Sequence, residues 1–129
     1  MDCLDGRAIR DTGYYSWDIL ENLVCLDRIS AAIFEFSELE GAEGLPIEAF
    51  IEKIEPSNRE KIAKAIHDCL LNGNRYHEEY PVMLKSGALR WVRVDGRMVY
   101  DEDGDPVRGI GSMMDVTVER LLVSGVTRQ

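Results

Sequence analysis

A chain of 129 residues with 45% apolar content suits one domain able to bury roughly two thirds of its unfolded surface. Its formal charge of −9 argues against nucleic acid as a direct partner, because tracking phosphates takes clustered Lys and Arg. Cys3, Cys25 and Cys69 are odd in number, far apart and without CxxC spacing, so neither a disulfide scaffold nor a zinc site is indicated, and free thiols fit a reducing, cytoplasmic compartment.

Residues 1–12 are short, mixed and acidic and read as a leader without nameable chemistry. No signal-peptide core opens the chain and no apolar run reaches the length of a membrane span. Residues 14–19 and 23–27 read as short strands around a Leu20-Glu21-Asn22 connection. Over 28–36, Ile29, Ile33 and Phe36 fall at helical spacing, whereas 38–45, with Gly41 and Gly44, reads as a loop. Pro46 suits the first turn of a helix with an apolar stripe of Ile47, Phe50, Ile51 and Ile54. Ser57 followed by Glu60 has capping-box spacing and opens a helix over 58–71 that Asn72-Gly73 closes.

Three longer strands follow at hairpin spacing. Residues 75–85 alternate large and polar side chains up to the Lys85-Ser86-Gly87-Ala88 turn. Residues 89–100 then run to Asp101-Glu102-Asp103-Gly104-Asp105, whose Asp-Gly suits a tight turn, and 106–114 end at Asp115-Val116-Thr117. The order β-β-α-α-α-β-β-β predicts an α+β domain: a five-stranded antiparallel sheet with helical segments capping one face.

These residues also carry a family resemblance. The sequence Ser86-Gly87-Ala88-Leu89-Arg90-Trp91-Val92, then Gly96-Arg97, then Asp103-Gly104-Asp105-Pro106-Val107-Arg108-Gly109-Ile110-Gly111 resembles the C-terminal half of PAS sensory domains. Asp115-Val116-Thr117-Val118-Glu119-Arg120 is similar to that family's Asp-Ile-Thr-Glu-Arg exit, after which a signalling helix leaves the domain. Gly13-Tyr14-Tyr15-Ser16-Trp17-Asp18 looks like its first strand, and Glu55-Pro56-Ser57-Asn58-Arg59 sits where many members have His-Pro-x-Asp-Arg. The resemblance spans residues 13–122 and implies the strand order 2-1-5-4-3. It divides the chain into a leader (1–12), a PAS-like sensory domain (13–117) and the start of a signalling helix or tail (118–129).

Each candidate for chemistry has a plainer reading beside it. His67 invites comparison with haem-binding relatives, but it lies on the flank of the stripe formed by Ile62, Ala65, Ile66, Cys69 and Leu70. It stands six residues before Gly73, whereas the ligand histidine of those relatives stands about three turns before the closing glycine. Flavin-adduct relatives carry a Gly-x-Asn-Cys-Arg-Phe motif that this chain lacks. No haem, flavin or metal is therefore expected. His77 and Glu78 point to opposite faces of a strand and His77 and Glu79 to one, with no third partner in view, so catalysis is not expected. Gly109-Ile110-Gly111 lacks the context of a phosphate loop and reads as room for a helix or ligand against the sheet.

The expected role is sensory, with a small-molecule or partner signal relayed to an effector such as a histidine kinase, cyclase or transcription regulator. A ligand cavity between helices and sheet would be lined by Cys25, Ile66, Leu70, Val92, Val94, Met98, Ile110 and Met114. Asp115 or Thr117 would cap the exit helix, and both would relay the signal. Tyr14, Tyr15 and Trp91 are candidates for a homodimer interface on the outer sheet face and the N-terminal segment. Two rivals are a ligand-free dimerisation or docking module, marked by a filled core with no inward polar group, and a small α+β enzyme, which would need converging His, Asp or Tyr groups.

Overall fold

The computed structural model describes residues 9–127; most of the expected leader, and Cys3 with it, lies outside them. Alternating side chains build β1 (Gly13–Asp18) and β2 (Leu23–Leu26), joined through Asn22 at a φ of 52°, a conformation asparagine tolerates better than most residues. The Asn22 side chain then organises its surroundings. Its Oδ1 accepts from Trp17 Nε1 at 3.0 Å and from the Ile47 amide at 3.2 Å, and its Nδ2 donates to Glu48 at 2.9 Å.

Four helices follow: α1 (Arg28–Ile33), α2 (Glu38–Glu43), α3 (Ile47–Ile51) and α4 (Pro56–Asn72). Pro46 offers α3 no side-chain cap, so Asn22 supplies an acceptor from across the chain. The segment 38–45, expected as a loop, is largely the helix α2. A true capping box forms there, with the Ser37 side chain accepting from the Glu40 amide and the Glu40 side chain accepting from the Ser37 amide. Gly41 is accommodated because its bare Cα packs against Leu26 and Ala31. The box expected at Ser57 and Glu60 does not open α4. That helix starts two residues earlier, at Pro56, with the Glu55 carboxylate accepting from the Ser57 amide at 3.1 Å. Gly73, in the left-handed region, closes it by donating to the Cys69 carbonyl.

The meander comprises β3 (Tyr76–Met83), β4 (Leu89–Tyr100) and β5 (Pro106–Asp115), and α5 (Thr117–Thr127) leaves its end. All strand pairs are antiparallel in the order β2-β1-β5-β4-β3, as the resemblance implies. Directly opposed residues share a face. Val94 opposite Met113, Met98 opposite Gly109 and Tyr80 opposite Val92 therefore look toward the helices. Trp17, Phe34, Phe50, Ile62, Val82 and Val92 form the centre of the core, with Phe50 edge-on to both Phe34 and Phe36. Among the described residues no helix is long and apolar enough to cross a membrane.

Candidate functional site

The last inward residue at the start of β4 is an arginine. Arg90 continues the face of Val92 and Val94 and is only 2% exposed, as is to be expected of a charge only when it is paired. Its Nε lies 3.2 Å from Asp115 Oδ2, whose side chain is 1% exposed. Its Nη1 donates to the carbonyls of Ala32 (3.1 Å), which also accepts from the Glu35 amide, and Ile33 (2.8 Å), both at the end of α1. Asp115 also accepts from the Ile9 amide at 3.0 Å and, through Oδ1, from the Thr117 amide at 2.9 Å. Thr117 Oγ1 accepts from the Trp91 amide at 2.9 Å, and the Val116 amide donates to the Trp91 carbonyl at 2.8 Å. One buried ion pair thus joins β4, β5, α1, the entering chain and the first turn of α5. Asp115 accepts from the first turn of α5, as the sequence reading expects of a cap, whereas the Thr117 hydroxyl accepts from the Trp91 amide of β4 instead of from the helix. Arg90 escapes that reading, although extending the Val92, Val94 parity two residues back would have flagged a charge on the apolar face.

The outer sheet face carries a second set of contacts to α5. The Arg120 guanidinium lies over the Trp91 ring, 3.7 Å from its centroid, and donates to Glu79 at 2.7 Å. Glu79 also accepts from Arg93 Nε at 2.8 Å, and Arg93 reaches Glu119 at 3.1 Å. Burial pushes the Glu79 carboxyl upward, but the hydrogen bonds and charges of Arg93 and Arg120 outweigh it and hold the group below the usual carboxylate range. Trp91, a candidate for a subunit interface, is therefore partly covered by its own chain. Tyr14 is exposed on that outer face, but Tyr15 is not there: strand alternation turns it inward with Gly13 and Trp17. Its phenol occupies the space above the opposed Gly96 and Gly111, where a methyl on either glycine would collide with its hydroxyl. The room expected beside Gly109-Ile110-Gly111 is thus taken, at Gly111, by Tyr15.

Between the helices and the inner sheet face lies a cavity of about 70 Å³. Ile66, Val94 and Met98 border it, as the sequence places them, together with Trp17, Phe50, Ile62, Tyr76 and Tyr80. Five expected lining residues do not. Ile110 and Met114 have the opposite parity, since Met113 and Gly109 are the residues paired with inward Val94 and Met98. On β2 Val24 points inward, and Cys25, opposite Ser16, is turned away. Leu70 borders a surface groove with His67 and Ile47 instead, and Val92 is fully buried in the core without touching the cavity. His67 is exposed, and His77 pairs with Asp95 on the outer face. No group of three His, Cys, Asp or Glu side chains placed to hold a metal occurs among the described residues.

A family model described as PAS fold matches residues 32–113. Among solved structures the chain is similar to a sensory box histidine kinase/response regulator from Burkholderia thailandensis E264, with a TM-score of 0.76 and 24% identity over 90% of this chain and 85% of that one. It is also similar to the N-terminal domain of a diguanylate cyclase with PAS/PAC sensor from Marinobacter aquaeolei, with a TM-score of 0.73 and 16% identity over 85% and 99% of the two chains. The PAS domain of the fruit-fly ELK potassium channel aligns with a TM-score of 0.62 and 14% identity over 82% and 87%. At these identities the likeness is one of fold. Comparison with curated proteins finds no match.

Proposed function

This chain belongs to the PAS fold family, and we propose on that premise that it is a sensory module passing a change in its cavity to an effector through α5. The observation that carries the reading is the buried Arg90 and Asp115 pair, which binds the sheet, α1 and the first turn of α5 into one unit. A shift of cap against sheet strains that unit, and the helix direction responds. The effector belongs to the class carried by the similar structures, a histidine kinase or a diguanylate cyclase, or is a transcription regulator. The space left between helices and sheet, bordered by Tyr76 and Tyr80, supports a ligand-responsive domain over a ligand-free docking module with a filled core.

Haem and flavin have no part in this reading. His67 lies on the exposed side of α4, and a cavity of about 70 Å³ is far smaller than a macrocycle or a tricyclic ring. Purified protein is expected to be colourless; a Soret band lost on His67→Ala would contradict that.

The relay is tested by filling the cavity from the sheet side with Val94→Phe and following amide hydrogen exchange over residues 118–122. Altered protection there, abolished when Thr117→Ala is added, is the expected result. Exchange in α5 that is indifferent to Val94→Phe while the cap helices respond would overturn the relay.

A further inference from the structure

Tyr80 is 5% exposed and borders the cavity, yet its hydroxyl makes no hydrogen bond among the described residues. Tyr76, half-buried, also borders the cavity, and its hydroxyl makes none there either. Nearly all buried polar groups in folded proteins have partners, so the Tyr80 phenol, without one among the described residues, requires an explanation. Tyr15 completes the group, and its hydroxyl donates to the Asp95 carbonyl at 3.3 Å. Burial raises all three phenols above their usual range, and their mutual proximity adds to the effect, Tyr15 acting on Tyr80 and both acting on Tyr76. At neutral pH each is protonated. Tyr76 and Tyr80 are therefore donors without an acceptor among the described residues.

The remaining walls are aliphatic or aromatic: Ile62, Ile66, Val94, Met98 and Met113. The volume of about 70 Å³ is several times the roughly 10–15 Å³ that one water needs. An anion is disfavoured, because desolvation and the nearby Glu78 already work against a negative charge on Tyr76 and Tyr80. Arg97, the cation bordering the cavity, is itself exposed.

Resting on the reading of this cavity as the input site, we infer that it takes a small uncharged molecule with an apolar body and a carbonyl-type acceptor, such as a ketone, aldehyde or ester. The acceptor sits against Tyr76 and Tyr80, and the body fills the space between α4 and the inner faces of β4 and β5. A hydrocarbon of the same shape leaves both hydroxyls without partners, so the site discriminates through its polar wall.

Acetone, isobutene and acetate, titrated into the isotope-labelled protein and followed by NMR at Val94, Met98 and Met113, test the inference. Acetone is expected to bind, and acetate not to bind. Tyr80→Phe should weaken acetone roughly three- to tenfold while leaving isobutene unchanged. Tyr76→Phe combined with Tyr80→Phe should weaken acetone further and again leave isobutene unchanged. Thermal melting of Tyr80→Phe should be no lower than that of wild type, since the lost hydroxyl has no partner among the described residues. Equal acetone affinity in wild type and Tyr80→Phe, acetate binding at that site, or no acetone binding each overturns the ligand class. The parent reading fails separately: α5 exchange that responds to Val94→Phe preserves the relay whatever acetone does.

Discussion

At the scale of single residues, Asp115 is more than a helix cap. As a cap alone, its loss would cost about 1 kcal/mol, and the sequence supports only that reading. The structure gives its carboxylate a buried partner, Arg90, so Asp115→Ala takes the carboxylate from a buried guanidinium as well as releasing the Thr117 amide. Breaking one side of a buried pair costs about 3–5 kcal/mol, a large share of the roughly 5–15 kcal/mol that holds a domain folded. Thr117→Ala removes only the bond from the Trp91 amide and should cost about 1 kcal/mol. Urea titrations of the two variants should therefore separate clearly. Equal losses would show that Arg90 finds compensation elsewhere when its carboxylate is removed.

At the scale of elements, what was legible followed from period and turn chemistry, and what was missed followed from contacts between distant parts of the chain. The meander, its Asp-Gly turn and the exit at Asp115 are local features, and they stand within a residue or two of their expected bounds. Met113 rather than Met114 faces the cavity because β5 takes its parity from pairing with β4, and alternation weakened by Gly109 and Gly111 does not declare it. Ser37 and Glu40 form the capping box that Ser57 and Glu60 do not, although both pairs have the same spacing; Pro56, preset for a first helical turn, starts α4 before Ser57 can act as its cap. The docking of α5 on Trp91 likewise depends on charges from three elements, Glu79, Arg93 and Arg120. Arg120→Ala should raise exchange over residues 118–122 roughly fivefold and shift Trp91 emission to the red without lowering global stability by more than about 1 kcal/mol. The acid response has a definite sign. Glu79 has a folded pKa below its unfolded value, so its contribution is complete above the unfolded carboxylate pKa of about 4.3 and is lost as pH falls through the lower folded value. Helix docking should therefore be constant through neutral pH and weaken only in acid, and Glu79→Gln should remove that acid transition.

At the scale of the whole molecule, Asp115 holds both the chain entering the sheet, through the Ile9 amide, and the helix leaving it, through the Thr117 amide. A domain built this way presents its incoming and outgoing segments on one side, where a second copy can meet both. Apolar area is exposed there: Val118, Leu121 and Leu122 on α5 are each half or more accessible, and Tyr14 on β1 is 62% exposed. Trp91 adds little, lying under Arg120. Exposed apolar clusters of this kind favour association, and two-fold homodimers are the commonest closed arrangement, so self-association is proposed through α5 and the outer sheet face at Tyr14. Charge sets a limit on it, because each copy carries −9 and repulsion between copies is strongest at low ionic strength. Sedimentation equilibrium should show a dimer that tightens with added salt. Leu121→Glu with Leu122→Glu should return it to monomer with the far-UV circular dichroism of the sheet intact, and Tyr14→Ser should weaken it less. A wild-type chain that stays monomeric at high protein and high salt concentration would remove α5 as a contact, leaving signal output to a single copy.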